Sequence, residues 1–314
     1  MTSRRPLVCL LCLVLSTGLL PRPTAAGGLG VPTSRAGLGF GNLPGFSGIR
    51  FNFRDRNVDR VAGINFSVWP SSQNSKSLYQ GLNVALIGHR SGLTQGIALG
   101  GIGLAGGDFQ GLTAGLIGMG ADNMAGIGLA GIGIGAADMQ GIFVGGLGVG
   151  GSSITGLAFG GLGVGGDDIT GLAFGGLGVG GDDITGIALG GLGVGGNDIT
   201  GIALGGLGVG GNDIAGVAAG ILGVGGNDLQ GLFAGGAVGG DRLRGAGLSV
   251  GYLKLDELRG LGTGAYTNLK EQRGLCIGIF NRARSLHGVQ IGLLNFAGNN
   301  PRGLRWLPGI NAHF

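Results

Sequence analysis

Side chains that perform chemistry or fill a globular core are scarce in this chain. Charged residues make up 11% of its 314 positions and aromatics 6%, with three histidines and three cysteines. Cys9 and Cys12 both lie in an apolar run near the start, so Cys276 stands alone beyond it and has no partner for an intramolecular disulfide. Catalysis has little to draw on. His89, His287 and His313 are expected to lie far apart along the fold, and no acid or histidine is spaced to activate Cys276. Only 8 prolines occur and glycine does not recur at every third position, which excludes a collagen helix. What is abundant is glycine, 81 residues, alongside 43% hydrophobic residues. Glycine loses more backbone freedom on folding than any other residue, so an ordinary globular enzyme does not carry this much of it. The hydrophobic content, in turn, excludes simple disorder. A non-enzymatic, repetitive protein is expected.

The N-terminus bears on the charge. Met1-Thr2-Ser3-Arg4-Arg5 is a basic start, Pro6 to Leu20 is apolar, and Thr24-Ala25-Ala26 offers small residues for cleavage. The apolar stretch is shorter than the roughly 20 residues of a membrane-spanning helix, so residues 1–26 read as a secretory signal peptide. Export to the periplasm, outer membrane or cell surface follows. Arg4, Arg5 and Arg22 leave with that segment and no acid does, so a formal net charge of +4 becomes 17 basic residues against 16 acidic, or +1. Nothing in that balance points to nucleic acid.

The chain repeats itself every 15 residues. Gly81, Gly96, Gly111, Gly126, Gly141, Gly156, Gly171, Gly186, Gly201, Gly216 and Gly231 follow without a break. The spacing loosens through Gly245, Gly260, Gly274, Gly288 and Gly303, and Gly63 and Gly48 continue it upstream, giving about 18 coils. A fixed period of this size marks a solenoid, whose units bury their apolar sides only by stacking. In the unit Gly171 to Thr185, Leu172 and Phe174 alternate with small residues, and so do Leu177 and Val179 after Gly175-Gly176. Two short runs of period two mean two strands per coil, and the expected fold is an all-β parallel β-solenoid. A turn at Gly175-Gly176 lets Leu172, Phe174, Leu177 and Val179 all point inward. The third position of the unit is expected to face out, because other coils carry Arg50, Asn65, Asn83, Thr113, Cys276, Gln290 and Arg305 there. On this reading the middle of the solenoid presents flat faces of glycine and alanine. After the signal peptide come a flexible leader at 27–47, capping coils with an inserted loop at 48–80, regular repeats at 81–240, and Arg-rich diverged coils with a cap at 241–314.

Two resemblances bear on function. Gly288-Val289-Gln290-Ile291-Gly292-Leu293-Leu294-Asn295, with Asn299-Asn300-Pro301-Arg302 and Leu307 to Phe314 beyond it, resembles bacterial surface-repeat proteins whose units read G-[LV]-Q-[IL]-G-L-[ILV]-N. That resemblance implies an exported envelope or surface protein. Asp198-Ile199-Thr200-Gly201-Ile202-Ala203-Leu204-Gly205 is similar to the head repeats of trimeric autotransporter adhesins. Those proteins carry a long coiled-coil stalk and a C-terminal anchor that this chain lacks, so trimerisation and adhesion alone are what the likeness implies.

Candidate ligands are few. Asp168, Asp183, Asp198, Asp213 and Asp228 share one corner position, where stacking sets carboxylates about 5 Å apart; a Ca²⁺ ion could bridge them, and a solvated turn ladder is the plainer reading. Thr155, Thr170, Thr185 and Thr200 form a second rank of the kind that binds ice on flat solenoids, though it is short. Gly161-Leu162-Gly163-Val164-Gly165-Gly166 spells a dinucleotide fingerprint but precedes no helix, so no cofactor and no small-molecule substrate are expected. His89 takes an inward, structural position. The favoured function is a structural or interaction protein of the bacterial envelope or surface, able to self-associate through its faces or to meet an envelope partner. An integral outer-membrane β-barrel is the alternative, because Trp306, Ile310, Ala312 and terminal Phe314 resemble a barrel-assembly signal, and a cation- or ice-binding solenoid is third.

Overall fold

The computed structural model describes residues 27–314, so the expected signal peptide lies outside the described residues. Two compact units are formed, Met1–Ala137 (described from Gly27) and Asp138–Phe314. Each is a parallel β-solenoid made almost wholly of strand. The only helical element among the described residues is a 3-10 turn at Arg302–Leu304. In the second unit, strand Gly163–Gly175 pairs in parallel with strand Gly178–Gly190, each residue lying beside its equivalent 15 positions on: Val164 by Val179, Ile169 by Ile184, Ala173 by Ala188. In the first unit Gly103–Gly115 pairs with Gly118–Ala130 in the same register. A transmembrane barrel needs antiparallel neighbours; among the described residues antiparallel pairing joins Leu29–Thr33 to Ala36–Phe40 and Trp306–His313 to the end of the long strand Asp213–Ala297. No helix among the described residues is long and apolar enough to cross a membrane.

The 15-residue period is written by one stereochemical requirement. Gly171 has φ +121°, and a Cβ built on it would lie 2.2 Å from the carbonyl oxygen of Gly156, one coil earlier. Only glycine can turn the chain there while the backbones of successive coils stay in contact. In the first unit the column of such glycines starts at Gly37 and continues through Gly48 and Gly63 to Gly126; in the second it runs from Gly141 to Gly288. Gly303, expected as its last member, sits instead in the 3-10 turn. Gly37 takes its place at the other end, within the stretch expected as a flexible leader: Leu29–Thr33 and Ala36–Phe40 form a hairpin whose second strand pairs with Gly45–Arg56.

The expected assignment of sides is reversed over much of the coil. Ala173 is fully buried, as are its equivalents Ala158, Ala188, Ala203 and Ala218, whereas Leu172 is 37% and Leu177 50% exposed, and Phe174 is half-buried. Of the four side chains expected inside, Val179 alone is there, and Ile184 is buried as well. The reason is the phase of the alternation. Inward burial is interrupted at Gly176-Leu177, shifts phase at Asp182-Asp183 and is interrupted again across Thr185-Gly186-Ile187, so each 15-residue coil has three short segments around one interior. In this coil the inward positions hold one side chain per segment, Ala173, Val179 and Ile184, and other coils bury larger residues at the same positions, Phe143 and Phe233 in place of Ala173 and Leu229 in place of Ile184. Gly175 also points in, and a Cβ there would lie 1.9 Å from the carbonyl oxygen of Gly178. Leu172 and Phe174 flank Ala173 on the same strand, and alternation puts both outside.

Polar residues at the third position are therefore interior too. In the first unit, Arg50, Asn65 and Asn83 are buried with Asp55, which forms an ion pair with Arg50. Asn65 Nδ2 donates to Asp55 Oδ2 (3.0 Å) and to Asn83 Oδ1 (2.7 Å), and the Tyr79 hydroxyl donates to Asp55 Oδ2 (3.0 Å). In the second unit, Cys276 and Gln290 occupy the same slot, and Gln290 Nε2 donates to Gln272 Oε1 (2.9 Å). Asn281, Asn295 and Asn311 are fully buried nearby, and Asn281 Nδ2 donates to Asn295 Oδ1 (2.8 Å). Burial of such groups is tolerable because they bond to one another. Arg305, the last residue expected at this position, is half-buried.

Candidate interaction surface

In the second unit the outward side chains of the coils sort by segment. The segment from Gly171 to Gly175 and the turn after it present Leu172, Phe174 and Leu177. Register stacks each on its equivalent: Leu157, Leu172 and Ile187 in one row, Phe159, Phe174 and Leu189 in the next, with the rings of Phe159 and Phe174 4.9 Å apart and parallel to within 3°. Ladders of like side chains stabilise a sheet laterally. From Ile142 to Leu294, the second, fourth, sixth and seventh positions of successive coils hold no charged residue.

The segment from Gly178 to Gly181 is the one that matches the expectation of a flat face. Its outward residues Gly165, Gly180, Gly195 and Gly210 are exposed, and a Cβ on Gly165 or Gly180 would meet nothing nearer than 3.9 Å. Glycine is not demanded by the fold at this position. The alanines expected on such faces are inside, and rows of Leu, Ile and Phe replace them on the neighbouring side.

The third segment is polar. Asp168, Asp183, Asp198 and Asp213 are register partners and exposed, as are Thr155, Thr170, Thr185 and Thr200. Asn197 Nδ2 donates to Asp182 Oδ1 (3.0 Å) in the adjacent column, and Asp228 is held by Arg242. No group of three or more His, Cys, Asp or Glu side chains among the described residues is gathered closely enough to hold a metal ion. The rank of threonines gives way to Arg244, Arg259 and Arg273, of which Arg259 pairs with Glu257 and Arg273 with Glu271.

The reactive residues are placed as follows. His89 is 3% exposed at an inward position, its ring edge-on to Tyr79 with centroids 4.4 Å apart, and neither ring nitrogen has a hydrogen-bond partner. Burial holds its pKa down at about 4, and the same burial, with Asp55 adding to it, raises that of Tyr79. His287 and His313, expected to lie far apart, meet with ring centroids 6.1 Å apart because the last strand folds back antiparallel; His313 Nδ1 lies 2.6 Å from Asn300 Oδ1. Cys276 is fully buried and burial pushes its thiol up to about 12, only partly countered by a hydrogen bond with Thr267, so it is a packing residue. A feature without a signal in the periodicity is a trough of about 1500 Å³ in the first unit. Phe40, Phe51 and Phe66 line it in a stacked row with centroids 5.9 and 5.0 Å apart, together with Arg54 and the unpartnered, buried Ser67 hydroxyl.

No family description, curated protein or solved structure matches this chain.

Proposed function

We propose that this protein is an exported, non-enzymatic structural or interaction component of the bacterial envelope or surface, which associates laterally with further copies of itself through the apolar side of its second unit. The observation that carries the reading is the area of that side. Between Ile142 and Leu294, 24 large hydrophobic side chains are each at least 36% exposed. At about 80 Å² apiece, roughly half of a fully exposed large apolar side chain, they amount to on the order of 2,000 Å². The largest apolar patch of an ordinary monomer is about 300–600 Å², and a stable interface uses about 800 Å² per partner. A second copy fits this surface by period as well as by area, because its own rows repeat at the same coil spacing and can seat between these. Export is supported by the basic start, apolar run and small residues of the first 26 positions.

The test is light scattering on residues 27–314 over a concentration series. Oligomers are expected, and Leu162→Lys, Leu177→Lys and Leu192→Lys combined should return the chain to monomers. A parent chain that stays monomeric at high concentration overturns the reading. Flotation with lipid vesicles separates it from a membrane-surface role, in which the parent would float and not self-associate.

A further inference from the structure

Charge is sharply segregated along the second unit. Residues 138–240 carry eight acids, Asp138, Asp167, Asp168, Asp182, Asp183, Asp198, Asp213 and Asp228, and no lysine or arginine. Residues 241–314 carry ten basic residues and four acids, so the two stretches stand at −8 and +6. Most of the acids are exposed on one segment of successive coils, and Arg244, Arg259 and Arg273 continue the threonine column of that same segment. Four of the ten basic residues, Arg242, Arg259, Lys270 and Arg273, are held by acids of this unit, and those acids are already counted in the sums.

The apolar side, by contrast, continues across both stretches: Leu157, Leu172 and Ile187 in the acidic one, Leu248, Ile277 and Ile291 in the basic one. Apolar area alone therefore does not decide how two copies are oriented, and charge must.

We infer that the second units of two copies pair antiparallel, apolar side to apolar side, with the acidic stretch of each beside the basic stretch of the other. The inference rests on the lateral association proposed above and adds its direction. A parallel pair, related by a two-fold axis along the stacking direction, would carry the two polar segments to opposite sides of the interface, where the acidic stretch of neither copy meets a basic one and no charge attraction is gained. An antiparallel pair is related by a two-fold axis lying in the interface across the coils. That operation keeps the polar edge of one copy on the same side as the polar edge of the other and reverses its direction, so opposite charges meet. It is also a closed, isologous arrangement. The midpoint between the two stretches falls near the Gly231 coil, which brings the Thr200 position of one copy toward the Arg259 position of the other, each two coils from the centre.

Two exposed single-cysteine variants of residues 27–314, Thr200→Cys and Arg259→Cys, test this, since native Cys276 is buried. Under mild oxidation the mixture should give a disulfide-linked dimer that neither variant gives alone, with light scattering run on the same samples. Association should weaken as salt is added. Thr200→Cys linking to itself, while scattering still shows oligomers, overturns the antiparallel direction and leaves lateral association standing. Monomers in every sample overturn both. Oligomers whose mixed sample gives no more link than the single variants overturn the direction as well.

Discussion

The reversal of sides can be tested by enlarging the smallest inward residue. Ala173 is fully buried between Ala158 and Ala188, which are themselves fully buried, and the remainder of its coil's interior is taken by Val179 and Ile184. Ala173→Leu adds three carbons at a position whose register neighbours and whose coil's other inward positions are already filled. Overpacking of that kind costs about 1–3 kcal/mol. Were the third position outward, the same substitution would fall within about 0.5 kcal/mol of the parent, as surface changes do. Leu172→Thr supplies the control. Leu172 is 37% exposed, so it gives up only part of its contact with Leu157 and Ile187 and keeps a residue suited to a strand, for a loss of about 1 kcal/mol. Urea denaturation followed by far-ultraviolet circular dichroism, at concentrations below association, compares the two. Ala173→Leu unfolding within about 0.5 kcal/mol of the parent, or losing less than Leu172→Thr, would refute the placement.

Glycine should be tolerant of change on one column and intolerant on another. Gly171→Ala places its Cβ 2.2 Å from the carbonyl oxygen of Gly156 at φ +121° and should cost at least about 2 kcal/mol, whereas Gly165→Ala, with 3.9 Å of room, should be neutral or slightly stabilising in the same urea series. Stability should also depend on His89. Its buried ring has a pKa near 4, below the ordinary 6.5, so the unfolded chain takes up the proton first as pH falls. The stabilisation is full above about pH 6.5 and is lost towards pH 4, on the order of 3 kcal/mol in all, and His89→Phe should flatten that part of the profile measured by denaturation at successive pH values. A profile that does not change with His89→Phe would show that other groups govern acid stability. Finally, the Cys276 thiol should react with an aromatic disulfide reagent at pH 8 only after denaturant is added, since burial keeps it protonated and covered; prompt reaction of the native chain would contradict its position.

The period and the fold class were legible because they rest on a requirement that only one residue satisfies. Wherever the chain must turn with φ near +120° against the carbonyl of the previous coil, glycine recurs, and the even spacing of Gly81, Gly96 and Gly111 is enough to mark out the coil. Which side faces in was not legible from alternation, since period two fits either phase. Preference for large apolar residues inside selected Leu172 and Phe174, and it failed because the strand takes the other phase, setting Ala173 and Gly175 inside and both of them outside. The polar residues at the third position then misled in the same sense. Arg50, Asn65 and Asn83 looked like a solvent face, yet they are buried and bond to one another and to Asp55 across coils. Size was no surer a signal than polarity: residues 156–215 hold alanine at the third position and Val and Ile at the ninth and fourteenth, yet Phe143 and Phe233 are buried at the third position of other coils. His287 and His313 were misplaced for a different reason, since a strand that folds back antiparallel leaves no mark in the repeat.

The inward residues also differ between coils within each unit. Where the inward slots hold Ala, Val and Ile, burial contributes little per coil, and cohesion falls to the ladder hydrogen bonds and to the rows stacked outside, such as Phe159 on Phe174. Coils with polar inward residues draw cohesion of another kind. In the first unit the Arg50–Asp55 pair, with Asn65, Asn83 and Tyr79, ties coils together through their interior; in the second Gln272 with Gln290, and Asn281 with Asn295, do the same. Such bonds are directional, so they fix register where stacking of like side chains would allow coils to slip. Coils without such pins rely on repetition, which leaves their outward rows of Leu, Ile and Phe as the part of the molecule with the most to gain from a partner of the same period.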